Sequence, residues 1–162
     1  MKKVLFAVMV LVMIFVAAGC GEEGVSPTGT DSSIDPAALS KYISENVTFK
    51  DHMDVVDNDI LFEVYGIDPA IVKDACSYFS TGATAEEITV VITDDIEAVM
   101  TAYSNRIESQ TEGFENYVPE ELTKLAVPFK LVNDDAVIMV VCDDTKEAET
   151  AVNSYVDDLN NN

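Results

Sequence analysis

Ile88-Thr89-Val90-Val91-Ile92-Thr93, followed at once by Asp94-Asp95-Ile96-Glu97, is the stretch on which the fold turns. All six residues from Ile88 to Thr93 are β-branched. Ile88, Val90 and Ile92 share one face; Thr89, Val91 and Thr93 share the other. Six residues with that composition and period read as a strand with a half-buried face. Asp94 then reads as a helix cap, with Glu97 three residues on completing a capping box. The helix stripe behind it is Ile96, Val99, Met100, Tyr103 and Ile107, and it fades near Glu112-Gly113.

The same grammar extends in both directions. Upstream, Asp35-Pro36 opens a first helix with Leu39, Tyr42, Ile43 and Val47 on one side. Residues 51–59 (DHMDVVDND) read as a polar acidic loop, residues 60–64 as a short strand, and Asp68-Pro69 as the start of a short helix through about Ala75. Residues 76–81 (CSYFST) read as a strand ended by Gly82. Downstream, residues 114–126 are irregular, with a short helix opened by Pro119. Pro128 suits the start of an edge strand, because it has no N–H to give a central ladder. Phe129 to Val132 continue that strand, and Asn133-Asp134-Asp135 forms the hairpin turn. Residues 136–142 (AVIMVVC) return as an apolar run without alternation, the pattern of a strand covered on both faces. Asp144 with Glu147 starts a last helix striped by Ala148, Ala151, Val152, Tyr155 and Leu159.

Hairpins with short connections imply antiparallel pairing. The expected class is therefore α+β, a mostly antiparallel sheet built from β-hairpins with amphipathic helices on one face. Two β-β-α units are suggested, because each long helix follows two strands closing in Asp-Asp, and Tyr103 matches Tyr155 in the two stripes.

Composition narrows the function classes. The 162 residues carry 9 Lys+Arg against 30 Asp+Glu, a formal charge of −21. That balance excludes a partner whose phosphates need a basic face, so no nucleic acid is expected. It equally excludes adhesion to anionic lipid by charge. Hydrophobic residues make up 48%, too many for a wholly disordered chain.

The amino end carries an address. Lys2 and Lys3 precede an uncharged apolar run over residues 4–18, short of the roughly 20 residues a spanning helix needs. Ala17-Ala18-Gly19 then leads into Cys20. The stretch Val16-Ala17-Ala18-Gly19-Cys20 resembles the lipobox of bacterial lipoprotein precursors, although Leu is more usual where Ala17 stands. The resemblance implies that the Cys20 thiol receives a diacylglyceryl group (the palmitate-type anchor) and that the chain is cut just before it. An ordinary secretory signal cut after Ala18 and an uncleaved anchor are the alternatives. The expected organisation is a signal peptide over 1–19, a lipidated Cys20 with a flexible Gly/Ser/Thr/Pro tether over 20–34, and one domain over 35–162. Two acyl chains hold a protein on a membrane stably, where one holds it marginally. The location implied is the extracytoplasmic face of the cell membrane.

Cys76 and Cys142 remain. Both sit in apolar strand-like runs, which favours two buried thiols over a disulfide.

The segments Tyr65-Gly66-Ile67-Asp68 and Glu87-Ile88-Thr89-Val90-Val91, and Arg106-Ile107-Glu108-Ser109-Gln110 with Phe114, Tyr117 and Pro119, resemble a family of Gram-positive lipoproteins known only as a domain of unknown function. The resemblance covers roughly residues 60–155. It implies a small extracytoplasmic α+β domain on a lipid anchor, and brings no catalytic residue and no substrate.

Chemistry-bearing residues are few. Arg106 is the only arginine, Gln110 lies one turn on along the same helix face, and Tyr117 can fold back toward them. Together they offer a fork of donors for an anionic or carboxylate ligand. The structural alternative, which is favoured, has Arg106 pairing with a carboxylate and pinning residues 113–119 to the helix. The Asp94-Asp95 and Asp143-Asp144 pairs offer oxygen ligands to a divalent metal, but capping accounts for both. The loop bearing Asp51, Asp54, Asp57, Asn58 and Asp59 is oxygen-rich, yet it lacks the order and closing Glu of an EF-hand. His52 is the only histidine, and neither cysteine lies in a nucleophile motif. No catalytic residue, metal site or cofactor is expected.

Three functions compete on these grounds. The first is a non-enzymatic binding or interaction module held on the membrane by its lipid, with an envelope protein as partner. The second is a small-ligand or divalent-metal accessory lipoprotein of a transporter or envelope system. The third is a hydrolase with an unrecognised site.

Overall fold

The computed structural model describes residues 34–161. The signal-peptide, lipobox and Cys20 readings, and nearly all of the tether, lie outside the described residues. In chain order the elements are α1 (Pro36–Asn46), β1 (Met53–Val56), α2 (Asn58–Tyr65), a 3₁₀ turn (Pro69–Ile71), β2 (Val72–Ser80), β3 (Glu87–Thr93), α3 (Ile96–Glu115), a 3₁₀ turn (Pro119–Glu121), α4 (Leu122–Ala126), β4 (Phe129–Asn133), β5 (Ala136–Val141) and α5 (Thr145–Asn160). The strands form one antiparallel sheet in the order β1-β2-β3-β5-β4. The expected α+β class with an antiparallel sheet is the class observed. No described helix is long and apolar enough to cross a membrane.

The helices cover both faces, not one. On one face α1 (Leu39, Ile43) and α5 (Ala148, Ala151, Val152) pack on Ile88, Val90, Ile92, Ile138 and Val140. On the other, α2 (Leu61, Tyr65), α3 (Val99, Ala102, Tyr103) and α4 (Leu125) pack on Val91, Val137, Met139 and Val141. Every residue of β3 and β5 is consequently buried, so the half-buried reading of residues 88–93 is corrected. Alternation misled there because Thr89 and Thr93 are polar but bonded. Thr89 Oγ1 meets the Tyr65 hydroxyl at 2.8 Å, and Thr93 Oγ1 donates to Ile71 O at 2.7 Å. A hydroxyl with a partner is cheap to bury.

The two β-β-α units are present in chain order but are not copies. With β2-β3 and β5-β4 meeting antiparallel, the only two-fold relating them runs normal to the sheet. Such an axis keeps both helices on one face, and α3 and α5 lie on opposite faces.

Local differences have local causes. Residues 60–64 lie in α2, not in a strand. Leu61 and Tyr65 are buried one turn apart, and Gly66 at φ +66° caps the helix, where a left-handed backbone suits glycine. The acidic loop holds the short edge strand β1, which pairs with the distal half of β2. The helix expected through Ala75 stops at Ile71, because Val72 onward pairs with β3. The cap of α3 is Asp95, whose Oδ1 accepts from Ala98 N at 3.0 Å; Asp94 instead pairs with Lys73 at 2.6 Å. The Asp95 N–H is taken by Thr93 Oγ1, so Glu97 closes no capping box. The α3 helix runs past Gly113 to Glu115. Asp35 and Asp144 cap α1 and α5 as expected.

Candidate functional site

The β3 strand opens with Glu86 before it and Glu87 as its first residue, and both are almost wholly buried. A buried carboxylate is costly unless charge and hydrogen bonds compensate it. Each of these has its own solution.

Glu87 is met from α3. Helical spacing of four places Arg106 and Gln110 on one face, directly against it. Arg106 Nε reaches Glu87 Oε2 at 3.1 Å, Arg106 Nη2 reaches the same oxygen at 3.1 Å, and Gln110 Nε2 donates to it at 2.6 Å. The guanidinium also lies between two rings, 5.7 Å from the centroid of Tyr65 and 5.4 Å from that of Phe79. Gln110 Oε1 is buried without a hydrogen-bond partner. Burial raises the Glu87 carboxyl above its ordinary range, and the Arg106 charge works against that rise.

Glu86 is met by four donors: the backbone N–H groups of Lys50 and Asp51, the Thr84 hydroxyl, each at 3.0 Å, and Lys124 Nζ at 2.9 Å. Lys124 also reaches Glu121 at 2.8 Å, and Glu121 accepts from Ala85 N at 2.9 Å. A lysine and two carboxylates, all nearly inaccessible, thus join the segment before β1, the β2–β3 connection and α4.

A cleft of about 330 Å³ opens beside these groups. Phe79, Gly82, Thr84, Arg106, Gln110 and Phe114 are among its lining residues. Of the three residues proposed from sequence as ligand-binding, Arg106 and Gln110 are brought together and line the cleft. Tyr117 is not; it is 68% exposed and packs on Phe114, ring centroids 6.3 Å apart. The 3₁₀ turn at Pro119 carries the chain toward α4 before Tyr117 can fold back. Arg106 does pair with a carboxylate, but what it holds to the helix is the start of β3, not residues 113–119.

Sequence reasoning missed Glu87, Tyr65, Phe79 and the Glu86–Lys124–Glu121 network. One signal was present: two carboxylates standing directly before the most apolar strand are out of place unless something neutralises them. The partners themselves are 19 and 38 residues away, beyond any local pattern.

The other candidates resolve into pairs and caps. Asp95 and Asp144 cap helices, Asp143 pairs with Lys50 at 3.0 Å, and His52 meets Asp54 at 3.1 Å on the surface. Among the described residues no group of three or more His, Cys, Asp or Glu is placed to hold a metal ion. Cys76 and Cys142 are free and buried, and burial pushes the Cys142 thiol up to about 11.

The Glu87 geometry makes a pH prediction. A carboxyl raised in the native state above its ordinary 4.5 binds its proton earlier than the unfolded chain does. Stability from that group therefore falls as pH rises from 4.5 to the native value. The surface repulsion of a −21 chain also changes with pH, so the comparison is with Glu87→Gln, which shares it. The stability of wild type relative to Glu87→Gln should fall as pH rises through that window and then level. Urea unfolding at stepped pH checks this, and a rise of wild type relative to the variant overturns it.

No curated protein and no solved structure matches this chain. The family described as a domain of unknown function (DUF4358) matches residues 45–142, more than half of its length. That span holds all five strands together with Glu86, Glu87, Arg106, Gln110 and Lys124, and on this match the chain belongs to the DUF4358 family.

Proposed function

We propose that this protein is a bacterial lipoprotein of Gram-positive type, anchored on the extracytoplasmic face of the cell membrane. Its folded part serves as a non-enzymatic binding or interaction module. The observation that carries the reading is the run of small residues Ala17-Ala18-Gly19 leading into Cys20 behind a charged start and an apolar stretch. A diacylglyceryl group on the Cys20 thiol and a cut just before it leave a tether of Gly, Ser, Thr and Pro between lipid and domain. The charge of −21 supports a role in which the domain stands off an anionic bilayer and meets an envelope protein partner.

Cys20→Ser should abolish metabolic fatty-acid labelling and release the protein from the membrane fraction. Persistent labelling of that variant overturns the assignment.

The reading of a small-ligand accessory lipoprotein draws support from the cleft beside Arg106, whose roughly 330 Å³ is at the lower end of ligand-site volumes. Calorimetry against small anions and calcium discriminates: a saturable signal favours that reading.

A further inference from the structure

The two edges of the sheet differ. At one, β1 is short and carries Asp54, and below it β2 is interrupted at Lys73 by a bulge. Shortness, charge and bulges are the usual guards of an edge. At the other, β4 runs regularly from Phe129 to Asn133.

The open backbone groups of β4 follow from the ladder. Thr93 N donates to Asp135 O at 2.9 Å, which sets Asp135, Val137 and Met139 as the residues bonding to β3. Ala136, Ile138 and Val140 therefore bond to β4, through Asn133, Leu131 and Phe129. The N–H and C=O groups of Lys130 and Val132 point outward, and among the described residues none meets a backbone partner. Their side chains share the face of Met139 and Val137. Val132 is 41% exposed there. Lys130 is half-buried, and among the described residues no carboxylate pairs with it, although the chain has 30 acids.

We propose that two copies of this chain pair through β4, antiparallel about a two-fold axis at Leu131. Lys130 then faces Val132 of the second copy, and every outward N–H and C=O of the two residues finds a partner. Leu131 meets its own counterpart at the axis, and the Lys130 stem covers the exposed valine. The Lys130 ammonium has Asp134 of the second copy as a diagonal neighbour, which supplies the missing carboxylate.

Other registers fail on these same residues. A one-residue slip sets the two faces against each other. A two-residue slip toward Pro128 places Lys130 against Lys130, and Pro128 has no N–H to bond. A two-residue slip the other way brings Asp134, at φ 51°, into the ladder. The helix beside this edge does not oppose the contact. On the face under Phe129 and Leu131, α5 touches β4 and β5 and turns Tyr155 toward Tyr42 of α1. Its flank away from α1 holds Glu149, Asn153, Val156 and Asn160, a single acid. Charges farther off are screened beyond about 8 Å at physiological salt. The contact is small, hence weak in solution, and a shared membrane raises the effective concentration toward roughly millimolar. The pairing goes beyond the binding-module reading and needs no lipid.

The test is disulfide trapping. Single Leu131→Cys, Lys130→Cys and Val132→Cys variants of the full chain, at roughly 100 μM in excess detergent because so small an interface is weak, are oxidised with copper phenanthroline. The unsubstituted chain is the blank, and peptide mass identifies each disulfide. Leu131→Cys should cross-link to itself at least about tenfold faster than the other two. Its counterpart lies about 4.5 Å away between Cα atoms, whereas theirs lie about 7–8 Å away on the diagonal. Adding Val132→Pro removes only an outward N–H, and adding Val132→Lys sets a like charge opposite Lys130; each should slow the cross-link at least about fivefold. Circular dichroism checks folding. Should Leu131→Cys unfold, Lys130→Cys combined with Val132→Cys takes its place, since those two residues face each other across the axis. Equal rates at the three positions, a fastest rate at residue 130 or 132, or a rate indifferent to both Val132 changes overturns the proposal. In intact cells, a disulfide from residue 131 to a different protein overturns the second copy as occupant. A chain that pairs without acylation overturns the anchor alone, and an acylated chain that does not pair overturns the pairing alone.

Discussion

Lys124→Met should cost about 3–5 kcal/mol of folding free energy, the loss seen when one partner of a buried ion pair is removed. The methionine matches the volume, so packing changes little. What changes is that Glu86 and Glu121, both almost inaccessible, lose the ammonium that lies 2.9 and 2.8 Å from them. Neither can escape to water without breaking backbone bonds. Glu86 accepts from Lys50 N and Asp51 N, and Glu121 from Ala85 N. For the same reason the network cannot simply be made apolar: removing the carboxylates orphans three backbone donors, each worth about 1–3 kcal/mol when left unpaired. Against a typical stability of about 5–15 kcal/mol, the lysine change is close to limiting. Linkage supplies a second signature. Burial by itself lowers the Lys124 pKa, but its hydrogen bonds to Glu121 and Glu86 outweigh that and leave it raised. A raised lysine stabilises fully below its ordinary 10.5 and loses that contribution as pH climbs through the native value. Urea unfolding of wild type and variant near neutral pH measures the main effect. A loss under about 1 kcal/mol means that the three charges are not buried together.

Arg106→Ala should cost about 3–4 kcal/mol, combining a stranded Glu87 with lost packing against Tyr65 and Phe79. Arg106→Lys should recover only part of this. An ammonium is a point charge, whereas the observed contact uses Nε and Nη2 of one planar fork on a single carboxylate. The double variant Arg106→Ala with Glu87→Gln should be more stable than Arg106→Ala alone, because it removes the uncompensated charge. Denaturant midpoints of the three variants check the order. If the double variant is the least stable, Glu87 is held by something other than Arg106.

Both predictions concern contacts that join the first residues of one strand to helices far along the chain. That shared feature explains the uneven legibility of the sequence. Signals carried by a few consecutive residues were readable: the caps at Asp35 and Asp144, the hairpin at Asp134-Asp135, and the buried run of β5. Arg106 and Gln110 were found as a pair because four residues make one helical turn. The register of the capping signal was off by one, since Asp94 and Asp95 are chemically identical and their roles are separated by Lys73 on the neighbouring strand β2 and by the Thr93 hydroxyl. Residues 60–64 misled because five mixed apolar residues fit a strand or one side of a helix equally, and Gly66 decides which.

By itself the sequence determined the class, an antiparallel sheet with amphipathic helices, and the acidity of the chain, because the first is set by periods of two and 3.6 residues and the second by composition. Only the tertiary structure decided that the helices cover both faces, that β5 inserts between β3 and β4, and that Glu86 and Glu87 turn to different cations. Those outcomes depend on which side of the sheet each crossover takes and on partners 19 to 38 residues apart. No local pattern encodes such choices; they follow from the whole chain having to bury two apolar faces and leave no carboxylate unpaired in between.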